Sequence, residues 1–335
     1  MSGSHTHNFL VSLPLTQLDG LETTLHAPSS DPALGPEIAS DDLAVPFRHS
    51  GWMDRRKCVR AALQRIADAG SRRERFDHCG RHAWVLRSLD DPSAYRIACD
   101  KCKDRFCTPC ASERARHIAA CVGDFAKDRD LRLVTLTLAQ SDRSVKQDLD
   151  RLYAAFVKLR RRAPWRKTQS GGVYFVEIKR RRSDDGWHTH LHVLTEGRWM
   201  SKSWISKAWF ELTGDSYIVD IRQCKSGPDA ARYVAKYAGK GVHGSCYHQP
   251  DILLDVMKAL RGRRLVGKWG NWSDLDLDTE APDGAWERIG TLQVLLSRAN
   301  AGNDEAIAIV QHLLGTAATE ARGPPSLRED GPLFA

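Results

Sequence analysis

Hydrophobic and polar positions change period several times along this chain. From Leu131, LRLVTLTLA alternates and predicts a strand, whereas SVKQDLDRLYAAFVKLRRR sets Leu149, Leu152, Phe156 and Leu159 on one helical face. GVYFVEIKR and HTHLHVLTE alternate with period two, and the polar SDDG between them predicts an antiparallel hairpin. KSWISKAWFEL reads as a helix, SYIVDIRQ as a strand, and PDAARYVAKYAGK as a helix opening at Pro228. The order is β-α-β-β-α-β with a further helix, the split arrangement of ferredoxin-like and RNA-recognition-like domains.

The flanks read differently. Residues 1–50 have no sustained apolar period and predict a disordered acidic tail. Residues 51–128 predict a helix from Asp54 to Ala69 stopped by Gly70, a Cys-rich module, and a helix from Ser112 to Lys127. The split β-α-β domain occupies 129–245, a helical region 246–315 and a disordered tail 316–335. An acidic loop (Asp274, Asp276, Asp278, Glu280, Asp283) fits no motif. The expected class is therefore α+β, with a central antiparallel sheet flanked by helices.

The 335 residues are 41% hydrophobic and 27% charged, which excludes collagen-like, wholly disordered and disulfide-stapled chains. No apolar run approaches the ~18 residues of a membrane span, and the first thirty residues hold acids but no Lys or Arg. A soluble cytoplasmic protein with no membrane partner is expected. The formal charge is +8, but residues 151–182 alone hold eleven bases and one acid. Within that stretch Arg160, Arg161, Arg162, Arg166, Lys167, Arg180, Arg181 and Arg182, with Trp165 and Tyr174 between them, are candidates to hold a polyanion by charge and stacking.

Three clusters carry chemistry. Cys99, Cys102, Cys107 and Cys110 form C-x2-C-x4-C-x2-C, four soft ligands suited to Zn²⁺. The middle spacer is short for a zinc ribbon, so Cys79, His78 or His82 are candidates to replace one ligand. In HTHLHVL, alternation puts His188, His190 and His192 on one strand face, opposite Thr189, Leu191 and Val193. If the hairpin pairs as read, Glu177 lies beside these imidazoles and completes a divalent-metal donor set. Tyr233 and Tyr237 stand four apart on one helical face, next to the pair Lys236 and Lys240. A phenol can attack a phosphodiester and conserve the bond energy, given a cation to lower its barrier.

HTHLHVL followed by YVAKYAGK resembles the HUH (His-hydrophobic-His) endonucleases, specifically rolling-circle replication initiators of the two-tyrosine type. His190-Leu191-His192 matches the HUH element, and Cys102 to Cys110 resembles the C-x2-R-x-C-x2-C segment of plasmid initiators. The resemblance spans about residues 79–270. Many plasmid initiators have Glu four residues before their Tyr, where this chain has Tyr233. The resemblance implies Mg²⁺ or Mn²⁺ at His190, His192 and Glu177. It also implies attack by Tyr237 on one strand of a single-stranded or hairpin DNA origin, and a 5′-phosphotyrosine with a free 3′-OH. Tyr233 would take over the strand at termination, with Lys236 or Lys240 on the phosphate. The chain has no G-x4-G-K-[ST], so a host helicase and polymerase are expected partners. Two alternatives stand: a two-tyrosine HUH transposase, and a non-enzymatic zinc-dependent DNA-binding protein.

Overall fold

The computed structural model describes residues 45, 47–49, 51–140, 142–180, 186–238, 241–278 and 284–322. The chain divides into residues 1–38 and 39–335, and every described residue lies in the second unit. The reading of 1–50 as a tail thus falls mostly outside the described residues. Its end does not fit a tail: His49 is buried and its ring lies 3.2 Å from the Cys79 carbonyl.

Helices α1 (Met53–Gln64) and α2 (Gly70–His78) replace the single helix expected to Ala69, with Gly70 opening the second rather than ending the first. Strands β1 (Trp84–Ser88) and β2 (Tyr95–Ala98) follow, then α3 (Thr108–Phe125). Next come β3 (Leu131–Thr137), α4 (Val145–Arg161), α5 (Ala163–Thr168), β4 (Gln169–Arg180) and β5 (Trp187–Gly197). The predicted split unit closes with α6 (Lys202–Thr213), β6 (Val219–Cys224) and α7 (Gly227–Ala238).

The region expected to be helical, 246–315, contributes α8 (Pro250–Ala259) but then β7 (Val266–Gly270) and β8 (Trp286–Thr291) before α9 (Leu292–Asn300) and α10 (Asp304–Arg322). VGKWG and WERIGT are short and do not alternate cleanly, so their strand character comes from the edges they complete.

The main sheet is antiparallel throughout, in the order β6-β3-β5-β4-β7. Without β7 this is the ferredoxin-like order of a split β-α-β domain. Leu149, Leu152, Phe156 and Leu159 of α4 pack with Val176, Ile178, Leu191 and Val193 on one face. The opposite face packs Val173, Phe175 and Leu194 against Ile118 and Val122 of α3 and Val234 of α7. A capping box at Ser144 and Gln147 starts α4, and Gly214, with φ of 82°, ends α6.

A smaller antiparallel sheet, β2-β1-β8, joins the two flanks of the sequence. Its inner face packs Val85 and Ile97 against Leu292, Leu295 and Ile309. Among the described residues, no helix is long and apolar enough to cross a membrane.

Candidate active site

The hairpin β4–β5 pairs in the register that the alternation requires. Glu177 stands opposite His190, Phe175 opposite His192 and Lys179 opposite His188. On the other side of β5, Thr137 and Thr135 of β3 face His190 and His192, and Asp220 of β6 faces Thr135. A row of polar groups therefore crosses the sheet on the α7 side, whereas the alternate positions Val176, Leu191 and Leu136 enter the α4 core.

The two threonines fix the imidazoles. Thr137 Oγ1 is 3.0 Å from His190 Nδ1, and Thr135 Oγ1 is 3.3 Å from His192 Nδ1. That leaves both Nε2 atoms facing other ligand-type groups: His190 Nε2 lies 3.1 Å from His188 Nδ1, and His192 Nε2 lies 3.0 Å from Glu177 Oε2. Orientation of a ligand ring through its second nitrogen is the usual support of a metal-binding histidine.

Burial drives both His190 and His192 below the ordinary imidazole range, so both rings are neutral at neutral pH. Burial works the other way on Glu177, but the hydrogen bond to His192 and the charge of Lys179 outweigh it and hold the carboxyl below its ordinary range. An ionised carboxylate beside neutral imidazoles is donor chemistry of the kind divalent cations take, but among the described residues only the cysteine group gathers three or more ligand atoms closely enough to hold one ion. The four groups stand as two contacting pairs.

Helix α7 lays both tyrosines over this row. Its crossing with α3 is close: a Cβ on Gly123 would lie 2.8 Å from that of Ala231, and one on Gly227 would lie 2.9 Å from the Gly123 carbonyl. The Tyr237 ring stacks on His192, with centroids 3.6 Å apart and planes at 22°. The Tyr233 ring is 4.6 Å from that of Tyr237, and its hydroxyl is 3.2 Å from His192 Nδ1. Burial pushes the Tyr237 phenol up to about 12 and Tyr233 higher still. Lys236 Nζ is 5.2 Å from the centre of the Tyr237 ring. Lys240 lies outside the described residues.

The cysteine cluster differs from the expected ligand set at one position. Cys79, Cys102, Cys107 and Cys110 are all buried with their sulfurs within 4.8 Å of one another, and could hold one metal ion. Cys99 is not in the cluster. Alternation along β2 turns Tyr95, Ile97 and Cys99 together into the core under α9 and α10, where burial pushes the Cys99 thiol up to about 11. Cys79, capping the C-terminus of α2, takes its place. Sulfur separations of 3.6 to 3.7 Å from Cys79 to Cys107 and Cys110 are those of four bonds of ~2.3 Å in a tetrahedron. Arg48 Nη2 donates to Cys110 Sγ at 3.4 Å, a contact beyond the reach of sequence patterns.

The replication protein family (Rep_1) matches residues 96–309, more than half of the chain. The chain belongs to this family. The match runs from β2 into α10 and takes in the histidine strand, the tyrosine helix and three of the four clustered cysteines, leaving Cys79 outside. "Protein rep" of Staphylococcus aureus is 27% identical over 195 residues, covering 52% of this chain and 80% of that protein. No solved structure matches.

In this replication protein the α4–α5 part of the basic segment is not at the tyrosines. Arg160, Arg161, Arg166 and Lys167 lie at the α4–α5 end, flanking Gln169, about eight strand positions (roughly 26 Å) from Glu177 along β4. Helix α4 also packs on the opposite face of the sheet. Arg162 pairs with Glu211 of α6 at 2.5 Å, and Arg180 covers Trp187. Arg181 and Arg182 lie outside the described residues. Trp165 and Tyr174 do not form a stacking surface: Trp165 is fully buried, and both pack edge-on against Phe156. The acidic loop is tied to α3 through Asp278 and Arg114 at 3.1 Å.

Proposed function

We propose that the chain is a two-tyrosine HUH-type initiator of rolling-circle replication, which nicks one DNA strand at an origin and later rejoins it. The observation that carries this reading is the stacking of Tyr237 on His192, with Tyr233 hydrogen-bonded to the same ring and Glu177 on its far nitrogen. A nucleophile and its successor thus stand on one metal-type donor set. Membership of a replication protein family favours this over the transposase reading.

His190, His192 and Glu177 would hold Mg²⁺ or Mn²⁺, with His188 beside His190. When bound, the ion would polarise the scissile phosphate and offset the charge that develops on it. Tyr237 is the first nucleophile. Its oxygen forms a bond to phosphorus as the bond to the 3′ oxygen breaks; the phenol gives up its proton and the leaving oxygen takes one up. The product is a 5′-phosphotyrosine and a free 3′-OH for a host polymerase, with strand separation by a host helicase. A phenol held at about 12 reacts poorly without a nearby cation, and Lys236 is placed to supply one, with Lys240 as the next candidate. Tyr233 then receives the strand at termination.

Zn²⁺ at Cys79, Cys102, Cys107 and Cys110 is the structural ion of this reading. Arg160, Arg161, Arg166 and Lys167 would contact DNA away from the nick, neutralising phosphates rather than reading bases, with Arg162, Arg180, Arg181 and Arg182 as further candidates for phosphate contact. The test is incubation with single-stranded origin libraries and Mn²⁺, followed by a search for covalent adducts on Tyr237. Adducts in the wild type but not in Tyr237→Phe are expected. Full DNA binding with no adduct under any metal condition would favour the non-enzymatic alternative.

A further inference from the structure

The outer face of the small sheet β2-β1-β8 carries a pattern that neither the nicking site nor the basic segment uses. Alternation along β1 sends Val85 into the core and Trp84, Leu86 and Ser88 to the other side. Pairing sets Arg96 of β2 and Arg288 of β8 on either side of Leu86, and Trp286 opposite Ser88. The Arg288 guanidinium lies over the Trp84 ring at 4.9 Å, and the Arg96 guanidinium over the Trp286 ring at 4.0 Å. Glu287 turns to the other face, where Arg87 holds it at 2.6 Å. Helices α9 and α10 cover the inner side of this sheet.

We infer that this face is a binding platform for single-stranded nucleic acid. Two indoles about four strand positions apart, roughly 13 Å, span a stretch of two or three bases. Two guanidiniums lie between them, where the connecting phosphates would run. Each Arg already stacks on an indole, so an entering base exchanges one π contact for another while the guanidinium turns to a phosphate. Charge and chemistry select the occupant. A face of paired guanidiniums and indoles suits a polyanion with exposed π faces, and a duplex keeps its bases stacked inside. The inference rests on the family's role in replication and not on the tyrosine chemistry.

The test measures affinity of the full-length protein for a single-stranded oligonucleotide of about 15 nucleotides and for the matching duplex, across a salt series. Trp84→Leu and Trp286→Leu should each weaken single-strand binding by roughly tenfold and leave duplex binding unchanged. Arg96→Gln with Arg288→Gln keeps both rings and should flatten the single-strand salt slope by about 1.4, two phosphates at ~0.7 each. Should the Trp variants unfold, the Arg pair decides alone. Unchanged single-strand affinity and slope in a folded Arg pair variant would overturn the platform, and so would equal losses on single strand and duplex. Adduct formation at Tyr237 is read separately, on the wild type against Tyr237→Phe, so a failure of the nicking reading is distinguishable.

Discussion

The cysteine cluster and the histidine row are both built from ligand-type side chains, yet they are organised in opposite ways. The four sulfurs converge on one point, are buried on all sides, and repel or share protons until something cationic relieves them; hydrogen bonds from the other three thiols hold Cys79 far below the usual thiol range. The histidine row does not converge. Its groups pair off, one nitrogen of His190 and of His192 is held by a threonine, and a helix bearing two phenols lies over it. A closed four-ligand array suits an ion that holds a fold together, while an open donor set beside nucleophiles suits an ion that meets a substrate. The two regions can therefore be separated by substitution, and the expected effects descend in size.

The largest effect belongs to the cluster. Cys79→Ser should release bound zinc and unfold the module that joins α1, α2 and α3, because structural zinc contributes on the order of 10 kcal/mol to folding. Cys99→Ser should leave one zinc per chain. Metal analysis of the two purified variants checks both, and equal zinc loss would restore Cys99 to the ligand set.

Next come the groups of the open site. His192→Ala and Tyr237→Phe should abolish adduct formation at unchanged zinc content; Tyr237→Phe should leave thermal stability little changed, whereas His192→Ala strips the buried Glu177 carboxylate of its hydrogen bond and should lower it. Tyr233→Phe should still nick and form an adduct but fail to rejoin the strand. Peptide mapping of the adduct is decisive here, since label found only on Tyr233 would exchange the two roles.

A smaller effect is expected one shell out. Thr137→Val removes the hydroxyl on His190 Nδ1 with little change of volume, and should cost about 10–100-fold in divalent-metal affinity or nicking rate. Titration of Mn²⁺ against nicking reads it. A rate equal to wild type at limiting metal would show that the threonine does not orient the ring.

Much of this site was legible because it depends on period-two alternation over long strands. The register bringing Glu177 opposite His190 follows from two runs and one turn, and the same rule puts Thr135 and Thr137 on the histidine side of LRLVTLTLA. What was not legible depends on contacts distant in sequence. The short middle spacer makes Cys79 a candidate ligand, but the choice of Cys79 over Cys99 depends on the β1–β2 hairpin that brings it to Cys102. VGKWG and WERIGT become strands only because β4 and β1 offer them free edges. The basic run reads as one polyanion surface, but α4 turns its apolar stripe to the far face of the sheet and takes Arg160 and Arg161 with it. Trp165 and Tyr174 looked exposed among charges; Phe156, one helical face away, accounts for both.

The smallest expected effect concerns a buried charge that serves neither region. Asp148 of α4 is buried, and neither carboxylate oxygen has a hydrogen-bond partner. Burial pushes its carboxyl up to about 6, against the pull of Arg143 and Arg151. A folded value above the unfolded one means that the native state holds this proton longer than the unfolded chain does. The contribution to stability is complete below about pH 4 and is lost as pH rises through 6. Asp148→Asn, which stays neutral, should therefore raise the melting temperature by a few degrees at pH 8, by less at pH 5, and not at all near pH 4. The ceiling is about two pK units, or roughly 3 kcal/mol. Asp148 lies on the α4 side of the sheet, away from His192 and the cysteines, so zinc content and nicking should stay at wild-type levels. A melting gain independent of pH would show that packing rather than charge sets the difference. A fall in nicking would show that the two faces of the sheet are coupled, and that the open site depends on the core beneath it more than its own contacts indicate.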